Sequence, residues 1–409
     1  MTTSTQRDPT IDVLRGLTIA AVTAYHLHVD VRGIDPGDAP AREFLAALSA
    51  DDVRGLLGAA AHTLVAAPAF RLDLFLFVTG VVLMWAPPRG AAEFVRRRTR
   101  DVLPNYWLGS LLVAALLVLL AALRSAVSHT PFGEEVHLGT RLARAPYRFE
   151  VLDVARSLSV VGRFQDARTF QVVAPSMWYV MLLLQTYLLF PGLRRLHDRL
   201  GRARFLCVVL LFTWVARAWV FRFDPLPSFG PNPTVLYWIP FRLAPVALGM
   251  VSSGLLARLP AARGALASCA LAPVATGWLV ITFWLAAPAN RPGTVAGVVG
   301  PVAPLVLGLP ALWWIADAVR RAPIVGPVTR WAGRHSLSVL VMQDALRLTV
   351  GTWETLVGEL GRRFWPLLVP YLVLAVALAR AWDPLVLRLR ERWWPSPGPV
   401  SAVGVGRAR

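Results

Sequence analysis

The chain has 409 residues, of which 56% are hydrophobic and only 16% charged, with a mean hydropathy of +0.54. A soluble domain carries about 25% charged residues, so the composition excludes an ordinary water-soluble protein and points to a polytopic membrane protein. The formal net charge of +18 would suggest nucleic acid in a soluble protein. Here the basic residues lie in short loops between apolar segments, so membrane topology explains them and no nucleic-acid partner is expected.

Ten apolar segments follow one another, at 10–29, 66–87, 103–123, 174–193, 204–222, 234–257, 266–287, 295–317, 335–352 and 364–385. Arg71 and Asp73 blur the second, and the ninth is weak. The predicted architecture is all-α, with about ten transmembrane helices. Arginines cluster after the second segment (Arg89, Arg96, Arg97, Arg98, Arg100), the fourth (Arg194, Arg195, Arg199, Arg202, Arg204), the sixth (Arg258, Arg263), the eighth (Arg320, Arg321, Arg330, Arg334) and the tenth (Arg388, Arg390, Arg392). With ten spans these clusters share one side, which the positive-inside rule makes cytoplasmic together with both termini. Residues 1–9 then form a cytoplasmic tail, 10–385 one membrane domain, and 386–409 a basic cytoplasmic tail. The first apolar stretch is short and runs into His26 and His28 without a small-residue cleavage site, so it is expected to be a retained helix. Cys207 and Cys269 both fall in apolar segments, which gives no disulfide framework. The sequence contains no lysine, and its wealth of Ala, Val, Gly and Arg suggests a G+C-rich bacterial genome.

The first segment carries Asp12, Arg15 and His26 inside its apolar pattern. Ionisable groups at bilayer depth are expensive and usually face protein or a water-filled cavity. Asp12 and Arg15 also suit a helix start, with Arg15 snorkelling to the interface, but that leaves His26 unexplained. Eleven residues separate Arg15 from His26, which puts them within about 20° of one helix face and about 16 Å apart along the axis. His28 points about 200° away from His26, which argues against a shared cavity or a His-x-His metal site. Arg15 can pair with Asp12 three residues away, or bind phosphate through its fork of donors.

Four stretches recur in an order that resembles the bacterial acyltransferase-3 family of integral membrane acyltransferases, over roughly residues 8–385. They are Ile11-Asp-Val-Leu-Arg-Gly16 with His26; Leu72-Asp-Leu-Phe-Leu-Phe-Val-Thr-Gly80; Phe94-Val-Arg-Arg-Arg-Thr-Arg-Asp-Val-Leu-Pro-Asn-Tyr-Trp107; and Met177-Trp-Tyr-Val with Gln185-Thr-Tyr-Leu-Leu-Phe-Pro191. The resemblance implies transfer of an acyl group, commonly acetyl, from a cytoplasmic donor such as acetyl-CoA to a hydroxyl of a glycan, glycolipid or secondary metabolite. It implies an inner-membrane location in bacteria and makes Arg15 and His26 the essential pair. It matches Arg97, Arg98 and Arg100 to the basic run after the second helix. The chain departs from the family pattern at Asp101, at Leu183 and Leu184, and at Gln343, where the late element often ends in His.

Histidine titrates near working pH and can take the proton of an attacking hydroxyl; an apolar surround favours the neutral ring that this requires. Arg97, Arg98 and Arg100 can dock the anionic end of CoA, or act only as a topology anchor. Asp12, Asp73, Trp178, Tyr187 and Arg242 are candidate substrate contacts. Trp178 and Tyr187, nine residues apart, are expected near one face along the acceptor path, although an interfacial aromatic belt explains Trp178 equally well. Arg217 and Arg242 are functional groups or internal ion pairs. The other histidines, including His197 and His335, are expected at solvated surfaces. No metal is expected. A proton-coupled transporter or lipid flippase with His26 as relay is the rival class, but no inverted repeat supports it.

Overall fold

The computed structural model describes residues 8–32, 72–87, 90–129, 177–223, 239–256, 302–357 and 364–393, with a few isolated positions between 131 and 159. Ten α-helices run through them: α1 Pro9–Arg32, α2 Leu74–Trp85, α3 Ala91–Ser128, α4 Trp178–Leu200, α5 Arg202–Phe223, α6 Leu243–Leu256, α7 Val302–Arg321, α8 Val325–Arg334, α9 Ser336–Val357 and α10 Phe364–Trp393. A 3-10 turn at Ile239–Arg242 leads into α6. There is no strand among the described residues. Each predicted apolar segment except 266–287 coincides with a helix over its described part, and 266–287 lies outside the described residues.

Local chemistry sets the helix ends. Asp8 accepts the Thr10 backbone N–H at 2.8 Å, and Pro9 occupies the first helical position, where its missing N–H does no harm. α4 stops at Gly201, whose φ of +74° suits a residue without Cβ. α3 stays continuous for 38 residues with Pro104 inside it, so the basic run and the third apolar segment lie on one rod. α10 likewise passes 385 without a break and ends at Trp393.

α1 lies at the centre, packed against α7, α8, α9, α10 and α2. Its Ile11, Val13, Leu14 and Ile19 are buried, as are Leu74, Phe77 and Val78 of α2. Two interfaces need glycine because backbones touch. A Cβ on Gly16 would overlap the Thr329 carbonyl of α8, and one on Gly333 would overlap the Asp12 carbonyl of α1. Gly80 and Gly249 serve the α2–α6 contact in the same way.

The outward faces are apolar too. Leu111, Leu119 and Leu123 of α3, Leu188 of α4, Leu211, Val215 and Trp219 of α5, and Val369 and Val373 of α10 are all exposed. Continuous exposed apolar surface of this kind suits lipid, not water. Among the described residues one helix, Ala91–Val127, is long and apolar enough by itself to cross a bilayer; Leu74–Trp85 is apolar but shorter. The sequence reason is visible in α1, where Asp12 and Arg15 interrupt the apolar run.

Candidate active site

Arg15 and His26 both face α9. Arg15 Nη2 donates to Ser336 Oγ at 3.1 Å, and His26 Nδ1 stands 2.7 Å from Gln343 Nε2. Ser336 and Gln343 are seven residues apart, so they too share a face, about 10 Å apart along α9. The longer separation on α1 is bridged by the reach of the arginine side chain. α1 and α9 therefore meet along a polar strip inside an otherwise apolar bundle. Gln343 is fully buried, and Tyr371 of α10 donates to its backbone carbonyl at 3.0 Å.

Neutral groups hold Arg15. Besides the Ser336 hydroxyl, its guanidinium lies over the Phe75 ring, 5.4 Å from the centroid. Among the described residues no carboxylate lies within ion-pair distance of it. Tyr179 and Tyr187 of α4 are buried. Aromatic pairs lie beside Arg15 and Arg98. Phe75 meets Tyr179 edge-on at 4.6 Å, Tyr187 meets Phe94 at 6.4 Å, and Arg98 covers Phe94 at 5.7 Å. Phe75, Tyr179 and Phe94 were not singled out in the sequence; their regular apolar spacing looks like any core face.

The other candidate residues separate. Asp12 is buried and accepts from Arg334 Nε of α8 at 2.8 Å. Asp73 takes Arg242 Nη1 on both carboxylate oxygens, at 2.9 and 3.1 Å, with both side chains buried. Arg217 donates to the Phe241 carbonyl at 3.4 Å, beside this pair. Arg97 is exposed, while Arg98 and Arg100 are half-buried. Asp101 pairs with Arg390 of α10 at 3.3 Å. The expectation that Trp178 and Tyr187 share a face fails on helix arithmetic: in the continuous α4, nine positions place them about 180° apart. Gln185 accepts the Ile239 backbone N–H at 3.0 Å and so ties α4 to the turn before α6.

Two histidines expected at solvated surfaces have partners. His197 bonds Asp198 and meets Phe205 edge-on, with 13% of its side chain exposed. His335, at the corner between α8 and α9, pairs with Asp383 of α10 and stacks on Trp331 at 4.6 Å. Ser338 donates to the other oxygen of Asp383, Asn105 donates to Ser338 at 3.1 Å, and Trp382 donates to Asn105 at 2.9 Å. This chain of bonds spans α3, α9 and α10. The sequence signal was a polar Trp382-Asp383 step inside the last apolar run, and it passed unremarked.

The family model for the acyltransferase-3 family, described as an acyltransferase domain, matches residues 8–380. No curated protein and no solved structure matches the chain. The match spans nearly the whole sequence, so the chain belongs to the acyltransferase-3 family and is a membrane acyltransferase transferring groups other than amino-acyl groups.

Proposed function

We propose that this membrane acyltransferase moves an acyl group, acetyl in the first instance, from acyl-CoA at the cytoplasmic surface of a bacterial inner membrane to a hydroxyl of a glycan, glycolipid or secondary metabolite. His26 is the general base. It takes the proton of the acceptor hydroxyl as that oxygen attacks the thioester carbonyl. The tetrahedral intermediate then collapses, the C–S bond breaks, and the CoA thiolate leaves and takes up a proton as CoASH. Arg15, held by neutral groups, is left to meet an anionic part of the donor between the cytoplasmic arginines and His26. Arg97, Arg98 and Arg100 receive the nucleotide phosphates, with the Phe94–Tyr187 pair beside Arg98 and the Phe75–Tyr179 pair beside Arg15. The proposed topology has ten spans with both termini cytoplasmic.

The observation that carries this reading is the pairing of Arg15 and His26 against α9 inside an apolar bundle. A proton relay would use the same histidine, but it gives no reason for an arginine held by neutral groups on the same face. The test uses the purified chain in nanodiscs with acetyl-CoA, reading thioester hydrolysis and label transfer to candidate alcohols. His26→Ala should lower turnover by about 10²–10⁴-fold at unchanged folding, the range of a general base. His28→Ala should have much less effect. Equal losses in both variants would end the assignment.

A further inference from the structure

A base with its lone pair on Nε2 must carry its ring proton on Nδ1. That proton needs an acceptor, and the group facing Nδ1 is the Gln343 carboxamide. A carboxamide can supply either its oxygen as acceptor or its nitrogen as donor, and a half-turn about its last torsion exchanges the two in the same place. The choice decides the chemistry of the ring. With the nitrogen towards Nδ1, as the structure places it at 2.7 Å, the ring proton sits on Nε2 and that atom can only donate. With the oxygen there, Nδ1–H is satisfied and Nε2 becomes the basic atom.

We propose that Gln343 is a positioning residue for His26: in the working enzyme its carboxamide oxygen accepts the Nδ1–H bond, fixes the tautomer, and assigns base chemistry to Nε2. The inference rests on His26 acting as the base. Three features suit Gln343 to this task. It is fully buried, so bulk water does not compete for the bond. It projects from a helix interior, not a loop, and the Tyr371 hydroxyl holds its backbone from α10. It is neutral, so it orients the ring without adding a second charge to a strip that already holds Arg15. An aspartate plays the orienting part in hydrolase triads, where loss of the correct tautomer costs about 10⁴-fold. A carboxamide gives the same direction with less charge.

The test compares three forms of the full chain in nanodiscs, with acetyl-CoA hydrolysis as the activity. Gln343→Glu offers only acceptors and should stay within about tenfold of the native rate. Gln343→Met has similar length but no acceptor, and should lose about 10²-fold in kcat with the donor KM within twofold, the smaller end of a general-base contribution. In protein labelled with ¹⁵N-histidine, the resonance that disappears in His26→Ala should show the Nδ1–H tautomer in the native chain. An Nε2–H tautomer, or a Glu variant as inactive as the Met variant, or a Met variant at native rate, overturns the proposal. The native spectrum decides even if a variant fails to fold. Hydrolysis surviving in His26→Ala would instead overturn the base itself, whatever the tautomer.

Discussion

Arg242 and Arg15 are both arginines set among apolar helices, yet they are held in opposite ways. Arg242 meets Asp73 through both carboxylate oxygens, and both groups are buried, so charge is matched by charge. Arg15 meets a hydroxyl and an aromatic face. A buried ion pair sets charge against charge, and breaking it strands one of them. A cation on neutral partners keeps its field for whatever enters the site. A place in an apolar segment marks both as unusual; only the partner separates a structural role from a chemical one.

The largest expected effect strands a charge. Asp73→Leu should destabilise the fold by about 3–5 kcal/mol, the penalty for an uncompensated buried ion, and should lower the folded yield sharply. Asp73→Leu combined with Arg242→Met should recover most of it. Thermal unfolding of the solubilised protein measures both. A single variant as stable as the native chain would mean that the pair does not support the fold.

Arg15→Met should do the reverse. Folding should hold within about 1 kcal/mol, as in most substitutions that break no buried pair. Transfer should fall about 100-fold, which corresponds to about 2.7 kcal/mol of barrier. Equal damage to stability would erase the distinction from Arg242.

Arg98 lies between these extremes, half-buried and stacked on Phe94. Arg98→Gln should raise the donor KM by about three- to tenfold with kcat nearly constant, about 1 kcal/mol of binding at a partly solvated charge. The native chain's affinity for CoA should weaken with added salt, because such charges are screened. Unchanged affinity in Arg97→Ala, Arg98→Ala and Arg100→Ala alike would leave the run as a topology anchor only.

The smallest effect belongs to Asp101, which faces Arg390 across an exposed pair. Asp101→Asn should change stability by less than about 1 kcal/mol and leave the donor KM alone. A large effect would show that this departure from the family pattern has a role of its own.

Much of the fold was legible because apolar runs of the right length make helices in any membrane protein. The shared face of Arg15 and His26 was legible because eleven residues close three turns. Their partners were not. Ser336 lies 321 residues from Arg15 and Gln343 317 residues from His26, and spacing within a segment says nothing about which segment comes to lie beside it. The Asp73–Arg242 pair is hidden for the same reason: the sequence allows Arg242 an internal ion pair but does not say with which residue. His335 keeps 35% of its side chain exposed, in line with a surface position; its partner Asp383 on α10 is what local spacing does not show. Tyr187 was assigned the wrong companion by a slip of half a turn.

The close backbone contact between α1 and α8 also has a consequence for how the chain is made. Asp12 and its partner Arg334 are 322 residues apart, which at about 5–20 residues per second means roughly 15–60 s of translation. Ser336 and Gln343 emerge later still. The first helix therefore enters the bilayer long before the groups that seat its arginine and histidine exist. During that interval its polar strip must face water, lipid headgroups or an insertion factor. Assembly is gated by the last quarter of the message, and a nascent chain stalled before residue 325 would hold every acid and base of the strip without the helix that locks them in place.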